Sequence, residues 1–405
     1  MLKTQINGSA LPCSCLERLE VGCLFGLPGS QNVELYEALH RSSIRTVLPT
    51  HELAATFMAN GYYRGSGKVG VVLTIPGPRL TYALSGLAEA FLDSATVLCL
   101  AGAPAKAPGR RFQLQAIDQQ TMASPIVKKV FRIDKASSLP AILSEAYRTA
   151  LEDDPGPVLV EIEGSVLAER AEDFFQESFS TKPVRRSPDP ILLQQSIDIL
   201  KSSSRVVLYL GQGAGDAARE VRALAELLQA SVLTTTSGRG VIPEDHPLSM
   251  PCDSGTGNVK SVDSFIHSCD LVLVLGCKLS HNGAHGFQLR LPSGKLIHVD
   301  ASTDVLGANY PAQMLLSADV RMFLDAVLGR LKTLGGKTAG WSPNDIRQWR
   351  EQIREENSRE RPEPRFSEIR PSTPRAFFDA LRRALPVHSC LVTDSGLHRI
   401  RIKEK

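Results

Sequence analysis

Cysteines are few and scattered: eight in 405 residues, with no C-x-x-C pair anywhere. Cys13 and Cys15 form a lone C-x-C, and Cys269 and Cys277 lie far apart. This pattern argues against a zinc or disulfide framework and points to a reducing compartment. The opening residues, MLKTQINGSALPCSCLERLE, lack a sustained apolar stretch, so no signal peptide is expected. Apolar runs such as LVLVLG fall far short of the ~20 residues a membrane helix needs. No long block of one charge sign occurs, and a net charge of +3 is too mild to imply nucleic acid or an anionic membrane as partner. These absences leave a cytoplasmic globular protein as the expectation. Its length allows two or three domains with substantial cores.

What is present is a repeated alternation. Short runs rich in β-branched residues (TVLP, KVGVVLTI, TVLCLAG, PVLVEIE) alternate with Ala-rich or amphipathic runs (LSGLAEAFLDS, SLPAILSEAYRTALEDD). The rhythm returns with RVVLYLG, DAAREVRALAELLQA, SVLTTT, DLVLVLG and KLIHVD. Apolar strands separated by helices predict a parallel, doubly wound α/β sheet. Two such domains are expected, at residues 1–170 and 191–332, in tandem with a third, truncated one at 373–405. Polar, proline-containing stretches at 171–190 and 333–372 read as linkers, the second partly helical around Asp345 to Glu356. PRAFFDALRRALP predicts a helix and SCLVTD a strand in the last piece, which cannot bury a core of its own.

Single motifs decide little. GQGAG at Gly211–Gly215 follows a strand, but Asp216 stands where a dinucleotide fingerprint wants a third small residue. No acid closes the next strand to hold a ribose, so a nicotinamide site is disfavoured against a phosphate-binding or structural turn. His281 and His285 have metal-ligand spacing for a helix, yet Asn282-Gly283 between them predicts a loop. Glu52 opens the small-residue helix ELAATFMANG directly after a strand, where an acid also suits the helix dipole. Ala54, Ala55, Ala59 and Gly61 on that helix would admit another backbone closely.

In order, the motifs FGLPGSQN, HELAATFMANGYYRGSGKVGVVLTIPGP, GLAEAFLDSATVLCLAG and FQLQAIDQQTMASPIVKK resemble the pyrimidine-binding domain of thiamine-diphosphate enzymes, nearest in flavour to acetolactate synthases. LGQGAG, TTTSGRGVIPEDHPL, CDLVLVLGCKLS and LIHVD are similar to that family's central domain, and FFDALRRALPVHSCLVTDSGLH to the opening of its diphosphate-binding domain. The resemblance implies that Glu52 is the acid bonded to N1′ of the aminopyrimidine ring, activating thiamine diphosphate for decarboxylation of a 2-oxo acid such as pyruvate and transfer of the two-carbon unit. It places Gly26, Leu27, Pro28 and Gly29, with Gly77 and Pro78, at the cofactor, and Phe112, Gln113 and Lys128 toward the substrate entrance. It implies a homo-oligomer, with the site completed between subunits, and a role in branched-chain amino acid biosynthesis. Some relatives carry FAD against the central domain, where Gly211, Gly213, Gly238, Arg239 and Asp300 fall; the segment GCKLSHNGAHGF departs from those relatives, which leaves FAD open.

Two departures stand out. Arg79 replaces the final glycine of the family's Gly-Pro-Gly loop, and positive φ there would strain it. The family's Mg²⁺ and diphosphate clamp, Gly-Asp-Gly with a downstream Asn, has no counterpart in the 405 residues. No metal site is therefore expected in this chain, and Mg²⁺ only in a complete parent protein. The reading that follows is an incomplete acetolactate synthase-like chain, inactive alone. Its alternatives are another thiamine-diphosphate lyase or decarboxylase, or an inactive fragment that pairs with full-length subunits.

Overall fold

Two stretches of alternating strand and helix fold as two units, Met1–Val184 and Arg185–Lys405, each built on its own parallel sheet. The structure is a computed structural model and describes residues 5–103, 110–172, 185–250, 260–333, 340–359, 374–386 and 388–392.

The first unit runs β1 (Gln5–Asn7), α1 (Leu11–Arg18), β2 (Cys23–Gly26), α2 (Val33–His40), β3 (Arg45–Val47), α3 (Glu52–Ser66), β4 (Gly70–Thr74) and α4 (Pro78–Leu92). It continues through β5 (Val97–Ala103), α5 (Gln119–Ala123), β6 (Val130–Ile133), α6 (Leu139–Leu151), β7 (Val158–Glu163), α7 (Gly164–Ala168) and β8 (Arg170–Glu172). Six strands form a parallel sheet in the order β3-β2-β4-β5-β7-β6, and β1 pairs antiparallel with β8 in a small ribbon.

The central strands β2, β4, β5 and β7 are buried on both faces, which is why they read as continuous apolar runs. Successive residues nonetheless serve opposite cores. Leu24, Val71, Leu98 and Val158 pack with α1, α2 and α6, whereas Phe25, Val72, Cys99 and Leu159 pack with α3 and α4. Small residues let α3 and α4 close on each other: Ala55 and Ala59 face Ala83 and Ala90, and a Cβ on Gly86 would lie 2.1 Å from Thr56 Oγ1. Gly61 is exposed with nothing near it, so its smallness serves no packing within the unit.

The second unit comprises α8 (Pro190–Ser202), β9 (Val206–Leu210), α9 (Ala218–Leu228), β10 (Ser231–Thr234), α10 (Lys260–His267), β11 (Leu271–Leu275), β12 (Leu296–Asp300), β13 (Met314–Ser317), α11 (Val320–Thr333), α12 (Pro343–Arg359) and α13 (Pro374–Ala384). Its parallel sheet has the order β10-β9-β11-β12-β13. Tandem doubly wound sheets are what the alternation predicts.

The stretch expected as the second linker behaves differently. Its helix forms as α12, but Trp341, Ile346 and Ile353 are buried in the core of the second unit. Trp341 donates from Nε1 to the Val206 carbonyl at 2.9 Å and stacks on Phe265 with ring centroids 4.9 Å apart. Residues 340–359 are thus a packed element with a polar outer face. In the last piece the expected helix forms as α13, while Ser389–Val392 adopt no strand; the rest of SCLVTD and the following DSGLH lie outside the described residues. Most of the first expected linker, residues 173–184, lies outside them too.

Candidate functional site

The chain reverses direction across the first sheet between β2 and β4. From β2 it leaves to α2 on one face, and from β4 to α4 on the other. Such a switch point opens a crevice at the carboxyl ends of the strands, the usual ligand position in open α/β sheets. Three of the expected segments meet at this end of the sheet.

Gly26 ends β2, and the loop after it carries Leu27, Pro28 and Gly29. A Cβ on Gly26 would lie 2.2 Å from the Leu73 carbonyl oxygen and 2.8 Å from the Tyr36 hydroxyl, and one on Gly29 2.9 Å from Ile75. The end of β2 and the residues just after it are therefore pressed against β4 and Ile75, with no space for a side chain at Gly26. Asn32, buried ahead of α2, clamps the first loop: its Oδ1 accepts from the Gly29 N–H at 2.7 Å, and its Nδ2 donates to the Leu27 carbonyl at 3.3 Å.

Gly77 turns the chain from β4 into α4 with φ +71°, and Pro78 takes the first helical position, where its missing N–H costs nothing. A Cβ on Gly77 would come within 2.8 Å of the Gln115 Cβ. The left-handed residue of this loop is therefore Gly77. Arg79 lies in the first turn of α4 with no positive φ, so the strain expected at position 79 does not arise.

Glu52 is the first residue of α3 and is 3% exposed. His51 is the cap, its Nδ1 accepting from the Leu53 N–H at 3.1 Å. A buried carboxylate requires a partner. Here it is Arg79, whose Nη1 lies 2.5 Å from Glu52 Oε1. Tyr36 stands close enough that the Glu52 charge, after burial, raises the pKa of its phenol. The Tyr36 hydroxyl is itself buried and, like Gln31 Oε1 and Gln115 Oε1, has no hydrogen-bond partner among the described residues.

The segment expected at the substrate entrance divides. Gln113, with Leu114, lines a cavity of about 320 Å³ shared with Gln31, Asn32, Leu73 and Ile162. Phe112 is 95% exposed, with the Arg111 guanidinium 5.1 Å from its ring centroid. Lys128 is not brought to these residues. Its backbone N–H bonds the Pro157 carbonyl and its ammonium donates to the Glu152 carbonyl, which puts it at the amino ends of β6 and β7, across the sheet from Glu52. Burial lowers the pKa of its ammonium. Sequence reasoning passed over Asn32, Tyr36, Gln115, Gln119 and the Arg79–Glu52 pair, whose roles depend on contacts between distant segments.

In the second unit the glycines of GQGAG have an internal explanation. A Cβ on Gly211 would lie 2.1 Å from the Gly276 carbonyl oxygen, and one on Gly213 2.9 Å from Gly276 Cα. Gly213 N–H donates to the Gly276 carbonyl at 2.9 Å, joining the loops after β9 and β11 at that sheet's own switch point. Gly238 meets the Leu210 carbonyl in the same way, Arg239 pairs with Glu244, and Asp300 accepts from the Ser302 N–H at 2.9 Å. His281 and His285 lie in consecutive turns, as Asn282-Gly283 predicts. Among the described residues no group of three or more His, Cys, Asp or Glu side chains gathers as a metal site, and no helix is long and apolar enough to cross a membrane.

Comparison with known proteins finds a family match for each unit. Residues 6–122 match the thiamine pyrophosphate enzyme N-terminal TPP binding domain, and residues 193–327 the thiamine pyrophosphate enzyme central domain. The chain belongs to the thiamine-diphosphate-dependent enzymes of acetolactate synthase-like type. It is 30% identical over 358 residues to a probable acetolactate synthase large subunit of Methanococcus aeolicus, covering 86% of this chain and 59% of that protein. To the acetolactate synthase isozyme 1 large subunit of Escherichia coli (strain K12) it is 28% identical over 402 residues, covering 98% and 69%. To a probable 2-ketoarginine decarboxylase of Pseudomonas aeruginosa it is 33% identical over 333 residues, covering 81% and 58%. The chain thus spans roughly three fifths of the length of most relatives it matches.

The residues at the first switch point fit the pyrimidine end of thiamine diphosphate. They offer a buried carboxyl group at a helix start, glycines where two segments turn, and three buried polar atoms that have no hydrogen-bond partner among the described residues. One feature disagrees: the Arg79 guanidinium sits on the carboxyl group.

Proposed function

We propose that this chain supplies the pyrimidine-binding half of a thiamine-diphosphate site in a protein that decarboxylates a 2-oxo acid such as pyruvate and transfers the two-carbon unit, as acetolactate synthases do. The observation that carries the reading is Glu52, a buried carboxyl group at the start of α3 beside the switch point. Thiamine diphosphate, when bound, supplies an electron sink for the loss of CO₂. Glu52 would share a proton with the N1′ nitrogen, a role that suits a carboxyl group shielded from water. Gly77 and the Gly26–Gly29 loop would let the ring approach main chain, and the Tyr36 hydroxyl and the Gln115 carbonyl would meet its polar edge. Gln113 and Phe112 would lie toward the substrate.

Mg²⁺ and the diphosphate would be held by the Gly-Asp-Gly and Asn elements of a complete protein, and branched-chain amino acid biosynthesis would be its setting. FAD would lie against the second unit, near Arg239 and Asp300; the close contacts of Gly211, Gly213 and Gly238 already account for those glycines. The apolar residues Leu53, Phe57 and Met58 on α3 and Tyr82 on α4 are exposed next to Glu52 and Arg79, which supports completion of the site by a second subunit. A second reading is simple decarboxylation without carbon–carbon bond formation, favoured by the 33% identity to a probable 2-ketoarginine decarboxylase.

The test is calorimetric titration with thiamine diphosphate and Mg²⁺, beside assays of CO₂ and acetolactate from pyruvate and 2-ketoarginine. Glu52→Gln should weaken binding at least about tenfold, since a hydrogen bond to a charged group is worth about 1.5–3 kcal/mol. Equal binding by the wild type and this variant would overturn the assignment. The ratio of acetolactate to CO₂ separates the two readings.

A further inference from the structure

The disagreement at Glu52 rests on the same reading of the site and deepens it. We infer that Arg79 is a built-in competitor for the cofactor pocket: its guanidinium holds the carboxyl face that the aminopyrimidine ring must occupy, so that binding requires Arg79 to be displaced.

Four observations carry this. Glu52 is 3% exposed and its Oε1 is 2.5 Å from Arg79 Nη1, so this oxygen is already engaged in a charge-assisted hydrogen bond. The pair joins the first turns of two neighbouring helices, α3 and α4, across the end of the sheet where the glycine loops converge. A cation in the first turn of a helix opposes the helix dipole. Arg79 sits there with no acid in the first turn of its own helix, so Glu52 is what compensates it. Finally, the Arg79 side chain is 42% exposed. It has water on one side and a long flexible stem, and can swing outward without disturbing the core.

The unpartnered atoms around the pair fit the same account. The Tyr36 hydroxyl and Gln115 Oε1 are buried without partners among the described residues. Arg79 therefore engages the carboxyl group while neighbouring polar atoms lack partners among the described residues. With a glycine at this position the carboxyl face would be open. With arginine the incoming ring must outcompete an ion pair, which lowers its apparent affinity without removing any contact that it makes.

The experiment is calorimetric titration of the 405-residue chain with 4-amino-5-hydroxymethyl-2-methylpyrimidine, the ring portion alone, and with thiamine diphosphate plus Mg²⁺. Arg79→Ala should bind the pyrimidine about tenfold more tightly than the wild type, the factor expected for removing one charge-assisted competitor. Arg79→Lys keeps a competing charge and should remain within a few-fold of the wild type. Glu52→Gln combined with Arg79→Ala should lose the gain. Arg79→Gly is the second variant should the alanine form prove unstable in thermal melts. An Arg79→Ala chain that binds no more tightly than the wild type, whether both bind or neither does, overturns the inference. If both bind thiamine diphosphate equally, the proposed function stands and only the competitor role falls. If no variant binds either ligand, both fall.

Discussion

Gln119 holds the Gly77 amide in place: its Oε1 accepts that N–H at 2.7 Å, while its Nε2 donates to Glu161 at 2.7 Å and to the Gly102 carbonyl at 3.2 Å. The second oxygen of Glu161 accepts from Gln120 Nε2 at 2.7 Å and faces Arg132 at 3.7 Å. Arg132 in turn pairs with Glu163, the bond that most raises its own pKa. A buried carboxylate on β7 is thus satisfied by two amides and a guanidinium, and one of those amides orients the loop that leads to Arg79. The order is charge on the strand, amide on α5, glycine on the loop, then the head of α4.

Gln119→Leu would leave the Gly77 N–H unpaired and remove one of the donors to Glu161. The cost should be about 3 kcal/mol in urea unfolding, the sum of two unsatisfied buried groups. A loss under about 0.5 kcal/mol would mean that water replaces both bonds.

Gly77→Ala tests the loop directly. At φ +71° an alanine is strained, and its Cβ would meet the Gln115 Cβ at 2.8 Å. The expected destabilisation is about 1–3 kcal/mol. Pyrimidine binding should fall together with stability, because relief of the collision moves either the start of α4 or the Gln115 segment. Calorimetry and urea melts on the same preparation measure both. An unaltered affinity would detach Gly77 from the site.

Much of this was legible in the linear sequence, for a physical reason. Central parallel strands such as Val71–Leu73 and Leu271–Leu275 are buried on both faces, so they stand out as uninterrupted apolar runs. The edge strands β6 and β13 do not. In β6, Phe131 and Ile133 are buried while Val130 and Arg132 are only half-buried, and in β13 Leu315 is exposed between buried neighbours. Both are short and went unrecognised. Glu52 was legible because an acid after a strand, at the head of an alanine-rich helix, is chemically conspicuous. Arg79 was noticed as a departure, but its partner was not, since the pair spans 27 residues. Residues 333–372 read as a linker because Trp341, Ile346 and Ile353 are sparse anchors in an otherwise polar stretch.

Trp341→Ala should show that this stretch belongs to the second unit. It removes a buried indole, its bond to the Val206 carbonyl and its stacking on Phe265. A loss of about 3–5 kcal/mol is expected for a large buried aromatic. In differential scanning calorimetry the transition of the second unit should drop while that of the first stays in place. A change under about 1 kcal/mol would return residues 340–359 to linker status.

His298 supplies a pH test in the second unit. It lies on β12, 1% exposed, with Nε2–H donating to the Cys277 carbonyl at 3.0 Å and Nδ1 accepting from the Gly307 N–H at 3.4 Å. Both ring nitrogens are therefore used by the neutral form. Burial lowers its pKa, and the bond to the Cys277 carbonyl opposes that shift without cancelling it. The sign follows from proton binding. Below the unfolded value of about 6.5 the unfolded chain takes up a proton that the folded one resists, so stability falls as the pH drops. Above that value both states are neutral and the residue contributes no slope. Urea melts of the wild type at pH 7.5, 6.5 and 5.5 should show stability held between the first two and lost toward the third. His298→Gln carries no titrating group. It should be less stable at pH 7.5, because its amide cannot reproduce both bonds, yet lose less between pH 6.5 and 5.5. Equal losses in wild type and variant over that interval would mean that His298 takes up its proton alike in both states and that the acid sensitivity arises elsewhere.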